Sequence, residues 1–188
     1  LSPLAAVTSG ALIHGESVVY EKETPYSHLD VVDIGGRRTL YLNSLPNSVM
    51  DIEEPTRLVF TYTRYFHIGM QRNPEAGSVL FVGGGGFSGP KNFLVTYPNA
   101  IVDVVEIDRD VIEIAQRYFE VEVNPRLTVF NADARVHLTQ SDRLYDLIVL
   151  DAYAKTYVPF HLMTLEFMEL LASRLTPEGI VVSNLIGS

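Results

Sequence analysis

The sequence predicts an α/β fold: a parallel sheet flanked by helices, with a small antiparallel unit ahead of it. Three observations carry this. From Ser78 onward short apolar runs alternate with helical stretches, as in strands that are buried on both faces and joined by right-handed crossovers. Between Ser17 and Leu42 the residues alternate with period two, as half-buried hairpin strands do. A chain of 188 residues, 47% apolar and 20% charged, suffices for one full hydrophobic core and is too short for two domains of ordinary size.

The elements follow in order. The first fifteen residues carry no Asp, Glu, Lys or Arg and are interrupted by Pro3 and Gly10. Residues 1–16 therefore read either as an apolar arm or as the trailing end of a membrane segment lying upstream, and they lack the basic region of a signal peptide. Residues 17–52 read as an antiparallel hairpin domain built from SVVYE, SHLDVVDI and RRTLYL, with Gly35-Gly36 as a two-residue turn. Residues 53–188 form the second unit. It opens with Glu53 to Gln71, where Pro55 suits a first helical turn and Leu58, Val59, Tyr62, Tyr65, Phe66 and Met70 recur at helical spacing, predicting one amphipathic helix. Strands SVLFVG, AIVDVVEID, LTVFNAD, YDLIVLDAY and GIVVSNLIG then alternate with helical segments PKNFLVTY, DVIEIAQRYFE, ARVHLTQ and TLEFMELLASRL. Asp110 with Glu113 three residues on predicts a helix N-cap, Thr164 caps the last helix, and Pro177 and Gly179 close that helix before its strand. The chain stops at Ser188 beside the fifth strand, so either its end is trimmed or a second copy covers an apolar sheet edge. A homo-oligomer is the expectation.

Composition removes several function classes. Fourteen Lys and Arg against twenty-three Asp and Glu leave a net charge of −9, which repels a phosphate backbone unless a local basic patch overrides it. No such patch stands out, so no nucleic-acid partner is expected. No run approaches the roughly 20 apolar residues of a bilayer span. Zero cysteines exclude disulfides, Cys-based zinc sites and thiol catalysis and suit a cytoplasmic domain, free or tethered to a membrane from upstream. The five histidines stand singly, without the spacing of metal ligands. No metal is expected.

In an open parallel sheet, ligands bind beyond the carboxyl ends of the strands, and four such ends carry chemistry. The first runs into Gly83-Gly84-Gly85-Gly86, and Gly84, Gly86 and Gly89 fit G-x-G-x-x-G, a turn that brings a ligand against backbone or serves only as a tight connection. The second ends in Glu106-Ile107-Asp108, with Glu106 twenty-two residues after Gly84, the distance at which a carboxylate accepts from both ribose hydroxyls. Asp108 and Asp110 also suit helix capping. The third ends in Asp133-Ala134, where a carboxylate can meet the exocyclic amine of adenine or cap the next helix. A third acidic end favours an adenosyl sulfonium compound over a dinucleotide. The fourth ends in Asp151-Ala152-Tyr153. Asp151 there can take a proton from an amine, provided that burial narrows the gap between a carboxylate near 3.9 and an alkylammonium near 10.4.

Those residues resemble the polyamine aminopropyltransferases, the spermidine and spermine synthase group, over roughly Tyr20 to Leu185. The likeness is carried by Thr24-Pro25-Tyr26-Ser27, VLFVGGGG, VVEIDRDVIEIAQRYF, Asp133-Ala134, and IVLDAY followed by PFHLMTLEFM. It implies a Rossmann-like, methyltransferase-type domain behind a small β domain, binding decarboxylated S-adenosylmethionine (or S-adenosylmethionine) as co-substrate and passing an aminopropyl group to an amine or polyamine. By position it implies Gly83–Gly86, Glu106, Ile107, Asp108, Asp133 and Ala134 around the nucleoside, Asp151 and Tyr153 as catalytic residues, and Tyr26, Ser27 and Tyr62 at the acceptor. Some relatives of this group are joined to membrane-spanning segments.

The departures lie on the acceptor side. Gly86 stands where the family usually has an aspartate, Ala154 replaces the second aspartate of its DSxD, Ser27 replaces a glutamine, and Phe60-Thr61-Tyr62 stands for Tyr-His-Glu. An extended dication needs carboxylates along its groove, so the nucleoside half reads as intact and the acceptor half as altered. Methyl transfer, a nicotinamide-dependent oxidoreductase and a non-catalytic nucleoside-binding module are the alternatives that the strand tips allow.

Overall fold

The computed structural model describes residues 17–122, 124–152 and 159–184. Four antiparallel strands come first, β1 (Ser17–Glu23), β2 (His28–Ile34), β3 (Arg37–Leu42) and β4 (Leu45–Asp51), paired in sequence order. Gly35 and Gly36 turn β2 into β3 with φ of 56° and 75°, as a two-residue hairpin requires. A second tight turn at Asn43 and Ser44, φ 51° and 64°, adds β4, a strand that the period-two reading had not extended to. The inner face of this sheet, Leu29, Val31, Leu40 and Met50, packs with Val111, Ile114 and Phe119 of the following domain in one apolar cluster.

The main sheet is parallel. Its strands are β5 (Ser78–Val82), β6 (Ile101–Glu106), β7 (Leu127–Asn131), β8 (Tyr145–Leu150) and β9 (Leu175–Ser183), in spatial order β7-β6-β5-β8-β9. Four helices link them: α2 (Ser88–Thr96), α3 (Arg109–Tyr118), α4 (Ala134–Gln140) and α5 (Leu165–Ser173), while the short α1 (Ile68–Arg72) precedes β5. Alternate residues of β5 serve two layers, Val79 and Phe81 packing with Phe66, Phe93 and Leu147, and Leu80 and Val82 with Leu138, Phe167 and Leu171. This doubly wound order puts the switch between β5 and β8, where the connections leave in opposite directions and open a crevice. Among the described residues no helix is long and apolar enough to cross a membrane; residues 1–16, read as an arm or membrane remnant, lie outside them.

Three local expectations are corrected. Residues 53–60 are not helical; the helical stretch is a 3₁₀ turn, Thr61–His67, continued by α1. Asp51 accepts from the backbone N–H of Glu53 and Glu54 at 3.0 and 2.9 Å and pairs with Arg57, and Pro55 bars Glu54 from helical backbone. Helix α3 is capped by Asp108, which accepts from Asp110 N–H at 2.9 Å, rather than by Asp110. Pro177 and Gly179 lie inside β9, where the register with β8 shifts. A Cβ at Gly179 would come 2.7 Å from the Tyr145 carbonyl, so the bulge needs glycine. The Thr164 cap of α5 stands as expected, accepting from Phe167 N–H at 3.3 Å.

One charge is buried in the main sheet. Asp103 of β6 is fully enclosed and accepts from Tyr145 Oη at 2.9 Å and from Arg143 at 2.8 Å. Removing the cation strands a carboxylate in an apolar layer. Arg143→Met is therefore expected to lower stability by about 2 kcal/mol, less than for a fully enclosed pair because Arg143 is partly solvated; urea unfolding followed by circular dichroism measures it.

Candidate active site

The strand tips converge. A cavity of about 830 Å³ opens over the carboxyl ends of the central strands and is lined by Gly83, Gly84, Gly85, Glu106, Ile107, Asp108, Asp133, Ala134 and Asp151, with Tyr26, Ser27 and Tyr62 on its N-terminal side. Gly86 is absent from this lining. Its N–H donates to Ser48 Oγ at 2.8 Å beneath the loop, so the second glycine of the motif serves packing of β4. Tyr153 lies outside the described residues.

The tip of β6 organises the loop. Glu106 Oε2 accepts from Gly84 and Gly85 N–H at 2.8 and 3.3 Å, and Oε1 accepts from Asp108 N–H at 3.0 Å. Burial pushes this carboxyl up, and the three N–H groups pull it back toward the ionised form. The remaining loop donors are occupied as well: Gly83 N–H by the Val105 carbonyl and Phe87 N–H by the Gly84 carbonyl. Oε2 is shared by two N–H groups, whereas Oε1 keeps a second lone pair for a ligand hydroxyl. Asp108, nearly inaccessible, gives its oxygens to the α3 cap and to Thr24 Oγ1 at 2.6 Å. It joins the N-terminal sheet to the strand tip.

Asp133 follows β7 and caps α4 through Val136 N–H at 3.0 Å, while its other oxygen lies 3.0 Å from His161 Nε2. The capping reading holds, and the residue also lines the cavity. Asp151 follows β8, and its backbone is pressed against Gly83, where a Cβ would come 2.5 Å from the Asp151 carbonyl and φ is +97°. Only glycine fits there. Burial raises the Asp151 carboxyl to about 6, against the opposing effect of Asn184 Nδ2 donating at 2.9 Å and Tyr62 Oη at 3.4 Å.

Four carboxylates thus share one hollow, and no Lys or Arg lines it among the described residues. Three contributors went unread in the sequence. Asn184 stands directly after β9, where the strand-tip rule would have found it. Asn47 and Ser48 come from β4, whose turn and Pro46 hid the strand. His161 lies in a one-turn 3₁₀ segment (Phe160–Leu162) just before α5, facing Asp133.

Comparison with known proteins agrees with this architecture. The chain is 31% identical over 192 residues to a polyamine aminopropyltransferase of Vibrio vulnificus, covering 98% of this chain and 62% of that protein; it therefore spans about three fifths of the relative. The crystal structure of a probable spermidine synthase from Corynebacterium glutamicum superposes with a TM-score of 0.80 at 23% identity, over 90% of this chain and 64% of that one. A spermidine synthase in complex with the transition-state analogue AdoDATO gives 0.74 at 21% identity, over 88% and 57%. Both share the Rossmann-like fold. Residues 59–185 match the family model of the spermine/spermidine synthase domain, and the chain belongs to that family.

Proposed function

We propose that the chain transfers an aminopropyl group from decarboxylated S-adenosylmethionine to an amine, with Asp151 as the base. One observation carries the choice of donor: the cavity is lined by Glu106, Asp108, Asp133 and Asp151 and by no described Lys or Arg. S-adenosylmethionine bears a carboxylate on its tail, and burying it requires a cation or free N–H donors. The glycine-loop donors are already spent on Glu106, Ser48 and backbone carbonyls. A decarboxylated tail, carrying only positive charge, suits this field. The AdoDATO complex of the structural neighbour fits the same reading.

The roles follow from position. Glu106 accepts from a ribose hydroxyl through Oε1, Asp133 and Ala134 border the adenine, and Ile107 packs beside it. Asp151 then stands at the sulfonium end, where Tyr62 and Asn184 hold its carboxylate oriented. An acceptor enters as an ammonium ion, and Asp151 takes its proton, exposing the lone pair that attacks carbon. A carboxyl near 6 narrows the mismatch with an amine by about 2 units relative to a free aspartate.

Two measurements test this. Incubation with decarboxylated S-adenosylmethionine and a set of primary amines is expected to release methylthioadenosine, detected chromatographically, whereas S-adenosylmethionine yields no S-adenosylhomocysteine. Asp151→Asn is expected to cut turnover by about 10²–10⁴; unaltered turnover removes Asp151 from the chemistry, and a lack of turnover in the wild type favours the non-catalytic module.

The pH dependence has a definite sign. Asp151 works only when ionised, so kcat/KM is expected to rise with pH up to about 6 and level off above it. Its folded pKa lies above the unfolded one, so the stability it contributes is present below about pH 4 and lost as pH rises through about 6. The permanently neutral Asp151→Asn is expected to raise the melting midpoint at pH 7.5 by roughly 2–4 °C, read by calorimetry.

A further inference from the structure

Past Asp151 the cavity extends toward β4 and the 3₁₀ segment, and its chemistry changes. Leu45, Pro46, Asn47, Phe60 and Tyr62 form this end, and none of them carries a charge. Phe60 and Tyr62 stack with centroids 5.8 Å apart. Behind them a recess of about 20 Å³ is bounded by the same rings with Phe66 and Phe81, room for about one water. Asp151 is the single carboxylate among its described lining residues.

Among the described residues no second anion lines this end. At Gly86 a Cβ would meet Ser48 Cβ at 2.8 Å and Phe119 Cδ1 at 3.0 Å, so that position has no space for a side chain. Residues 153–158, which follow Asp151 in the chain, read YAKTYV and hold no Asp or Glu. Glu106, Asp108 and Asp133 belong to the nucleoside end and are covered once the donor is bound. An acceptor with two ammonium groups would give one to Asp151 and bury the other against rings and an amide. Desolvating that ammonium costs several kcal/mol, and a cation–π contact with Phe60 or Tyr62 returns only about 0.5–2 kcal/mol.

Resting on the aminopropyl-transfer reading, we infer that the acceptor is a primary amine with a single positive charge and an apolar tail, the nitrogen held at Asp151 and the tail lying along Leu45, Pro46, Phe60 and Tyr62. In the step, the acceptor ammonium gives one proton to Asp151. Its lone pair forms the new N–C bond to the propyl carbon, the C–S bond breaks, and the electron pair neutralises sulfur to give methylthioadenosine. The product leaves as a secondary ammonium ion, and Asp151 returns its proton to water. Asn47 is the residue that sets the preference at the tail end: of the uncharged polar residues lining both the cavity and the recess, Ser48 is engaged with Gly86 N–H and Tyr62 with Asp151, which leaves the Asn47 amide to face the tail.

The test compares n-butylamine with putrescine, equal in chain length and different by one ammonium, using decarboxylated S-adenosylmethionine and the intact chain. The expected kcat/KM for n-butylamine is about tenfold or more above that for putrescine. Equal or faster use of putrescine overturns the inference. If neither amine reacts while calorimetry shows methylthioadenosine binding, the acceptor assignment falls and the nucleoside reading survives; if methylthioadenosine does not bind, the functional reading itself falls. Asn47→Asp, isosteric and anionic, is expected to shift the ratio toward putrescine by about fivefold or more, and an unchanged ratio contradicts the placement of the tail beside Asn47.

Discussion

The site depends on a buried carboxylate that holds the loop next to it. Glu106 accepts N–H bonds from Gly84, Gly85 and Asp108, each a charge-assisted bond of about 1.5–3 kcal/mol, and together they offset part of the cost of burying its charge. The bonds tie the tip of β6 to the turn after the neighbouring β5, beside the switch of the sheet. They also use up the donors with which a glycine loop would otherwise bind an anion. A fold that often serves phosphates and carboxylates is thereby converted into one whose open hollow is negative and short of donors.

The N-terminal sheet is part of this construction. Thr24 holds Asp108, Lys22 pairs with Asp110 at 2.6 Å, and Ser48 holds Gly86. Lys91 of α2, its pKa lowered to about 8 by burial, donates to the Phe119 carbonyl and reaches Met50 Sδ. Leu29 and Val31 of β2, Leu40 of β3 and Met50 of β4 pack on α3, so the N-terminal sheet forms one wall of the cavity through Asn47 and Ser48. On the opposite side the Asp151 backbone lies so close to Gly83 that nothing larger fits there.

Much of this was legible from the residues, for identifiable reasons. Strand tips are local signals, an apolar run ending in glycine or an acid, and Gly83, Glu106, Asp133 and Asp151 all stand where that rule puts them. Partners distant in sequence were not legible. Ser48 meets Gly86 across 38 positions, and nothing in the spacing of glycines announces that Gly86 is sealed from below. The β4 strand was hidden because its turn uses Asn43 and Ser44 in left-handed backbone and because Pro46 is tolerated only on a sheet edge, which β4 is. The helix read from residue 53 failed because Asp51 claims the N–H groups of Glu53 and Glu54, a competition that hydrophobic periodicity does not register.

The central claim is that a negative hollow whose glycine-loop donors are already engaged selects an adenosyl ligand lacking a tail carboxylate. Calorimetric affinities for methylthioadenosine and S-adenosylhomocysteine, which differ at that tail, test it most directly. The account predicts methylthioadenosine tighter by about tenfold or more; equal affinity, or tighter binding of S-adenosylhomocysteine, contradicts it.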